Sequence, residues 1–227
     1  MAFMACGQDI TKLQESLALK YMVQMPVQPS AHPPVIILLH GYGSDEKDMF
    51  ELRNVLPKNY LIIAARAPTA LPERGYQWFN KEMIGANYNG RTVSIDNSRN
   101  LLVTFIGQVV SKYHADASAV YLMGFSQGAI MSYETGLTHP VLLKGIGVMS
   151  GVMFPSLKPL IKNTPDLKRL KIFIAHGTAD NILTYANGKA ASDYLYSLGL
   201  NPEFHKYEGM PHSISNEEIA DLLRWLK

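Results

Sequence analysis

Three side chains in this sequence have the types and placement for joint nucleophilic chemistry: Ser126, Asp180 and His212. Ser126 is the centre of Gly124-Phe-Ser-Gln-Gly128, a G-x-S-x-G pattern. A β-branched and aromatic run, residues 119–123, leads into it, and Ala129-Ile130-Met131 leads out as helix. Strand, sharp turn and helix in that order present the serine hydroxyl at the end of a sheet. The flanking glycines remove Cβ atoms that would collide where strand and helix converge. A serine hydroxyl is a weak nucleophile and needs a base, which in turn needs a group to orient it. Asp180, in His176-Gly-Thr-Ala-Asp180, is the candidate acid, and His212, in Glu208-Gly-Met-Pro-His212, is the candidate base. The acid would hold the imidazole in its productive tautomer, and the base would take the serine proton and return it to the leaving group. The oxyanion formed on attack needs two backbone N–H donors, one from the residue after the nucleophile and one from an early strand-to-helix loop. Gln127 and Tyr42, the latter in His40-Gly-Tyr-Gly43, occupy those places.

Each assignment competes with a plainer one. An isolated aspartate is usually a turn or cap residue, and a lone loop histidine usually lies on the surface. Position favours chemistry here: Asp180 follows a strand downstream of the serine, and His212 comes 32 residues later, between the last strand and the last helix. Glu203 lies within a strand and Glu208 too near His212, while Asp166 and Asp193 fall in a loop and a helix. His205 sits in a strand, His114 and His139 end helices, where the dipole favours positive charge, and His32 is in a proline loop. His176 and His40 are expected to bond the backbone, His40 by holding its own loop.

The elements that must position these groups follow from periodicity. Residues 17–25 alternate as an antiparallel edge strand. Residues 35–39 and 59–65 are continuous apolar runs, the mark of strands buried on both faces. Between them a helix over 46–55 is capped by Asp45 or Ser44. A long amphipathic helix opens at Ser94 or Asp96 and runs to about His114, with Leu102, Phe105, Ile106 and Val109 on one stripe. After the serine come a helix over 127–138, strands over 143–149 and 171–175, a helix over 184–198, a strand over 203–207 and a last helix over 217–226 capped by Asn216. This alternation predicts right-handed βαβ units in one α/β domain over 17–227, with a mostly parallel central sheet, helices on both faces and no large cap domain. Residues 1–16 read as a loosely held lead-in. Ligands of such sheets bind beyond the carboxyl ends of the strands, where His40–Tyr42, Arg66, Ser126, Ser150, Asp180 and the His212 loop all fall. Residues 69–93 form an irregular excursion. Its Trp78 and Phe79, with Met83, Ile84, Tyr88, Phe50 and Phe154, are candidates to line a groove for an apolar acyl chain; the alternative is that they cover the sheet edge.

The 227 residues carry Lys+Arg 21 against Asp+Glu 19, a net charge of +2 without a clustered basic face, so nucleic acid is not an expected partner. One cysteine excludes an intrachain disulfide framework and cysteine-based zinc sites, and the histidines lack ligand spacing, so no metal or other cofactor is expected. No apolar run approaches the roughly 20 residues of a membrane span. Without a basic and apolar leader at the start, a cytoplasmic setting is expected.

Taken together, Leu39-His-Gly-Tyr-Gly43, Arg66-Ala-Pro68, Gln77-Trp-Phe79, Gly124-Phe-Ser-Gln-Gly-Ala129, His176-Gly-Thr-Ala-Asp180 and the His212 loop resemble the phospholipase/carboxylesterase family of α/β-hydrolases. That family includes acyl-protein thioesterases and small bacterial carboxylesterases, and the resemblance covers nearly the whole chain after Leu17. It implies the triad Ser126, Asp180 and His212, oxyanion donors at Tyr42 and Gln127, no cofactor, and a possible homodimer. Two departures stand out. Met210-Pro211 precedes the base where the family commonly has Gly, and Asn-Ile-Leu-Thr184 follows the acid where it usually has an apolar-apolar-Pro stretch. The expected activity is hydrolysis of carboxylic esters of small to medium acyl chains. The alternatives are an acyl-protein thioesterase or lysophospholipase using the same residues, and a hydrolase-fold binding protein without catalysis.

Overall fold

Uninterrupted apolar segments occupy the centre of the sheet. A computed structural model describes residues 12–81, 83–84, 87–88 and 93–227. In chain order its elements are β1 (Tyr21–Gln24), β2 (Val35–Leu39), α1 (Glu46–Phe50), β3 (Leu61–Ala65), β4 (Thr69–Ala70), β5 (Tyr76–Gln77), β6 (Met83–Ile84), β7 (Asn87–Tyr88) and α2 (Val93–Tyr113). There follow β8 (Val120–Phe125), α3 (Gln127–Gly136), β9 (Gly145–Met149), α4 (Pro165–Arg169), β10 (Lys171–Gly177), α5 (Tyr185–Ser197), β11 (Glu203–Tyr207) and α6 (Asn216–Trp225). Seven strands form one sheet in the order β1-β3-β2-β8-β9-β10-β11. Only β1 runs antiparallel, at the edge beside β3.

The alternation of strand side chains assigns them to two cores. Val35, Ile37 and Leu39 of β2, with Val120 and Leu122 of β8, face a cluster completed by Leu102, Phe105, Ile106 and Val109 of α2 and Ile130 of α3. Ile36, Leu38, Tyr121 and Met123 face the opposite cluster, with Met49 and Phe50 of α1 and Leu222 and Trp225 of α6. Every residue of β2 and β3 is therefore buried, one neighbour on each face. Helix α3 is buried at all ten positions, between α2 and the sheet.

Local boundaries differ from expectation at several elements: the edge strand expected over 17–25 is confined to Tyr21–Gln24, because residues 16–19 bend before it. The helix after β2 stops at Phe50 and continues as a 3-10 turn over Glu51–Asn54, whose carbonyl ends accept from Lys58 Nζ. Asp45 supplies its cap. The last helix is capped by Ser215, not Asn216: Ser215 Oγ accepts from Glu218 N at 3.1 Å, the spacing of a capping box. The irregular excursion contains two short antiparallel pairings, β4 with β5 and β6 with β7.

Candidate active site

The bend at Ser126 shows why its neighbours are glycine. Ser126 has φ 54° and ψ −115°, a conformation that costs energy for a non-glycine residue. A Cβ on Gly124 would lie 2.2 Å from the Gly128 carbonyl, and one on Gly128 would lie 2.2 Å from Leu39 O. Strand β8, helix α3 and strand β2 thus meet backbone against backbone. Ser126 N–H donates to Met149 O of β9 at 3.0 Å, which fixes the apex to the neighbouring strand.

Asp180 and His212 arrive on loops that the main chain ties together. Thr178 N–H donates to Tyr207 O at 2.9 Å and Ala179 N–H to Met210 O at 3.1 Å. A Cβ on Gly177 would sit 2.1 Å from Met210 O, so only glycine permits this contact. Asp180 is buried, and its Oδ1 accepts from Ile182 N and Leu183 N, both at 2.9 Å. Its Oδ2 lies 2.7 Å from His212 Nδ1, and His212 Nε2 lies 2.9 Å from Ser126 Oγ. An ionised carboxylate only accepts, so Nδ1 carries the imidazole proton and Nε2 is left to accept from the serine hydroxyl. The Phe125 ring packs against the imidazole with centroids 4.9 Å apart. Pro211, the departure noted in the sequence, turns the chain: Ser213 N–H donates back to its carbonyl at 2.8 Å.

The loop after β2 closes the other side. A Cβ on Gly41 would be 3.4 Å from Ser126 Cβ, so the loop backbone passes in van der Waals contact with the nucleophile. His40 holds it as expected: Nε2 accepts from Ala67 N at 3.0 Å, which leaves Nδ1–H to donate to Gly41 O at 2.7 Å. Burial lowers the His40 pKa and keeps the ring in that neutral form. Tyr42 is exposed, with Lys81 Nζ 3.4 Å above its ring centroid.

Several supporting groups were missed by reasoning from sequence. Arg66 meets the buried Glu46 through two bonds of 2.6 and 2.7 Å and also donates to Tyr76 OH at 3.0 Å. Tyr76 in turn exchanges backbone bonds with the loop, receiving from Gly43 N and donating to Ser44 O, each at 2.9 Å. Burial works to raise the Glu46 carboxyl, but the Arg66 bonds and charge outweigh it and hold the group below the usual carboxylate range. Gln127 contributes its side chain as well as its backbone, accepting from Trp78 N at 2.7 Å and donating to Phe79 O at 2.8 Å. A faint signal existed: Arg66 ends a buried strand, where a charged residue needs a partner.

The expected acyl groove is drawn differently. Trp78 is fully buried and its indole N–H donates to His40 O at 2.9 Å, so it braces the loop from within the core. Phe79 and Phe154 are buried too, edge to face with centroids 5.9 Å apart. All three belong to the α2–α3 core, because a side chain walled in by helix and sheet has no open face left for ligand. The side chains of Met83, Ile84 and Tyr88 lie outside the described residues. His176 bonds backbone as expected, and His205 lies 3.3 Å from Asp221 and packs tilted against Phe173 with centroids 4.9 Å apart. Among the described residues no cluster could hold a metal ion, and no helix is long and apolar enough to cross a membrane.

A mostly parallel sheet covered on both faces, with a serine elbow at its centre and an aspartate and a histidine on the following loops in reach of that serine, defines an α/β-hydrolase. Known proteins agree. The profile of the phospholipase/carboxylesterase family matches residues 21–227. Acyl-protein thioesterase 1 of Yarrowia lipolytica is 30% identical over 218 residues, 90% of this chain and 95% of that protein. Acyl-protein thioesterase 1 of Mycosarcoma maydis is 43% identical over 108 residues, 46% of this chain and 45% of that protein, so this match spans less than half the length of the relative. The structure of a carboxylesterase from Mesorhizobium loti superposes with a TM-score of 0.79 at 20% identity, covering 95% of this chain and 97% of that one. The chain belongs to the phospholipase/carboxylesterase family and is a hydrolase of carboxylic esters.

Proposed function

We propose that Ser126, His212 and Asp180 form the catalytic triad of a serine carboxylesterase, with the backbone N–H groups of Tyr42 and Gln127 as its oxyanion donors. The observation that carries this reading is the continuous relay of 2.9 and 2.7 Å from Ser126 Oγ through His212 to Asp180. Ser126 Oγ attacks the ester carbonyl carbon while its proton passes to His212 Nε2. The tetrahedral oxyanion is held by the two N–H groups. As it collapses, the bond to the alcohol oxygen breaks and His212 gives that oxygen the proton. Water then repeats the sequence, deprotonated by His212, and releases the acid from Ser126.

Incubation of the protein with a p-nitrophenyl ester series is expected to give a burst of nitrophenol equal to the enzyme present. Ser126→Ala is expected to lower kcat by roughly 10⁴-fold or more with the fold intact. Unchanged turnover in that variant would overturn the assignment of Ser126 as the nucleophile. A thioesterase reading has its own support in the two relatives named acyl-protein thioesterase 1. The same attack on a thioester expels a thiolate, and matched oxyester and thioester substrates separate the two by their kcat/KM ratio.

A further inference from the structure

Behind the relay lies a second histidine that the reaction as written does not use. His176, near the end of β10, is fully buried. Its Nε2 is 2.5 Å from Leu183 O and 3.3 Å from Asp180 Oδ2, the same carboxylate oxygen that receives His212 Nδ1. We propose that His176 is a positioning residue of this hydrolase, holding Asp180 from behind so that the acid orients His212 from a fixed point. The proposal rests on the triad reading above.

The two groups beside Nε2, a carbonyl and a carboxylate, only accept hydrogen bonds, so Nε2 carries the proton. Nδ1 then holds the lone pair, and among the described residues it has no hydrogen-bond partner. Helix α5 seals it off: a Cβ on Gly188 would lie 2.6 Å from Nδ1. An imidazolium would need an acceptor on that side, so the ring stays neutral, and burial lowers its pKa in the same direction. The titratable groups that face it are Asp180, His212 and, edge-on at 6.4 Å, Tyr185.

The contacts form a closed loop. Leu183 N–H donates to Asp180 Oδ1, Leu183 O accepts from His176 Nε2–H, and Nε2 itself lies 3.3 Å from Asp180 Oδ2. Oδ1 is thereby bonded and Oδ2 is in contact with the ring on the side away from His212. A residue serving only to fill space would need neither the tautomer nor the approach to Oδ2. The neutral donor also draws off part of the carboxylate charge, which is the charge that stabilises His212 when it accepts the serine proton.

Two variants of the full chain test this. In His176→Leu the volume is kept and the donor lost, whereas in His176→Gln an amide N–H reaches the Nε2 position. For p-nitrophenyl butyrate, His176→Leu is expected to lower kcat on the order of 10- to 100-fold with KM within about twofold, as for a displaced reacting group. The acidic limb of its kcat/KM profile is expected to move to higher pH, because Asp180 then acts on His212 with its charge undivided. His176→Gln is expected to return both kcat and the limb toward wild type. Equal impairment of both variants with the limb unmoved, or wild-type behaviour of His176→Leu, would overturn the proposal. Should His176→Leu fail to fold, His176→Asn, whose shorter amide stops at the Nδ1 position, replaces it and must show the same kcat loss and limb shift. Fluorophosphonate labelling separates this from the triad reading: an unlabelled Ser126 in wild type defeats the triad, while equal labelling rates in wild type and His176→Leu defeat only the role of His176.

Discussion

The two flanks of Ser126 each contain a main-chain joint and differ in the side chains that back it. On the acid–base flank the loops are joined by main-chain bonds, Thr178 to Tyr207 and Ala179 to Met210, at a distance only glycine allows at position 177. On the proposed oxyanion flank a comparable main-chain joint, Gly43 to Tyr76 and Tyr76 to Ser44, is backed by a set of side-chain bonds: His40 to Ala67 N, Trp78 to His40 O, Gln127 to Trp78 and Phe79, and Arg66 to Glu46 and Tyr76. A main-chain joint has one geometry and fails abruptly when a Cβ intrudes. A side-chain joint is distributed, and losing one member leaves others in place. In the proposed reading the first flank positions two reacting side chains, while the second aims two backbone donors whose chemistry is independent of residue type.

That contrast can be broken by substitution. Gly177→Ala is expected to have the largest effect, since its Cβ must push Met210 away and His212 two residues beyond it; kcat/KM should fall by about 100-fold or more, read with the same ester series. Gln127→Ala retains the backbone donor and removes two buried bonds from the 78–79 segment. A fall in kcat/KM of roughly 10-fold is expected, through kcat, as the oxyanion loop loosens. If Gln127→Ala proved the more damaging of the two, the oxyanion flank would be the brittle one and the contrast would be reversed. Arg66→Met is expected to act least on kcat and chiefly on stability, with Tm lowered by roughly 5–10 °C at pH 7 because Glu46 is left buried and unpaired. The sign with pH follows from the depressed Glu46 pKa. The pair stabilises above the unfolded carboxylate pKa and loses its effect as pH falls through the folded value, so wild type and Arg66→Met should converge in acid. Thermal melts at descending pH check this.

The same division governs how far the molecule could be read from its sequence. Apolar runs such as Val35–Leu39 announce buried strands because burial on both faces tolerates no polar residue. The convergence of Ser126, Asp180 and His212 was legible because elbow, strand end and loop each leave a local mark, glycine above all. The Gln127–Trp78 bond joins residues 49 apart, and Arg66 and Glu46 are 20 apart, so neither leaves a periodic trace. The sequence leaves Trp78 between a groove and the sheet edge because an aromatic in an irregular segment looks the same whether it faces ligand or core. The helix cap moved from Asn216 to Ser215 for a simpler reason: both residues can cap, and the choice depends on which one keeps an extended backbone.

The burial of α3 has a consequence for motion. Backbone amides of a helix enclosed on every side are expected to exchange with solvent only when a large part of the molecule opens, whereas those near an exposed residue such as Tyr42 are expected to exchange by local opening. Ser126, which caps α3, is therefore expected to sit at the end of a slowly exchanging unit. Deuterium uptake should spread inward in time toward the nucleophile, so that substrate traffic at the rim proceeds without disturbing the atom it comes to meet.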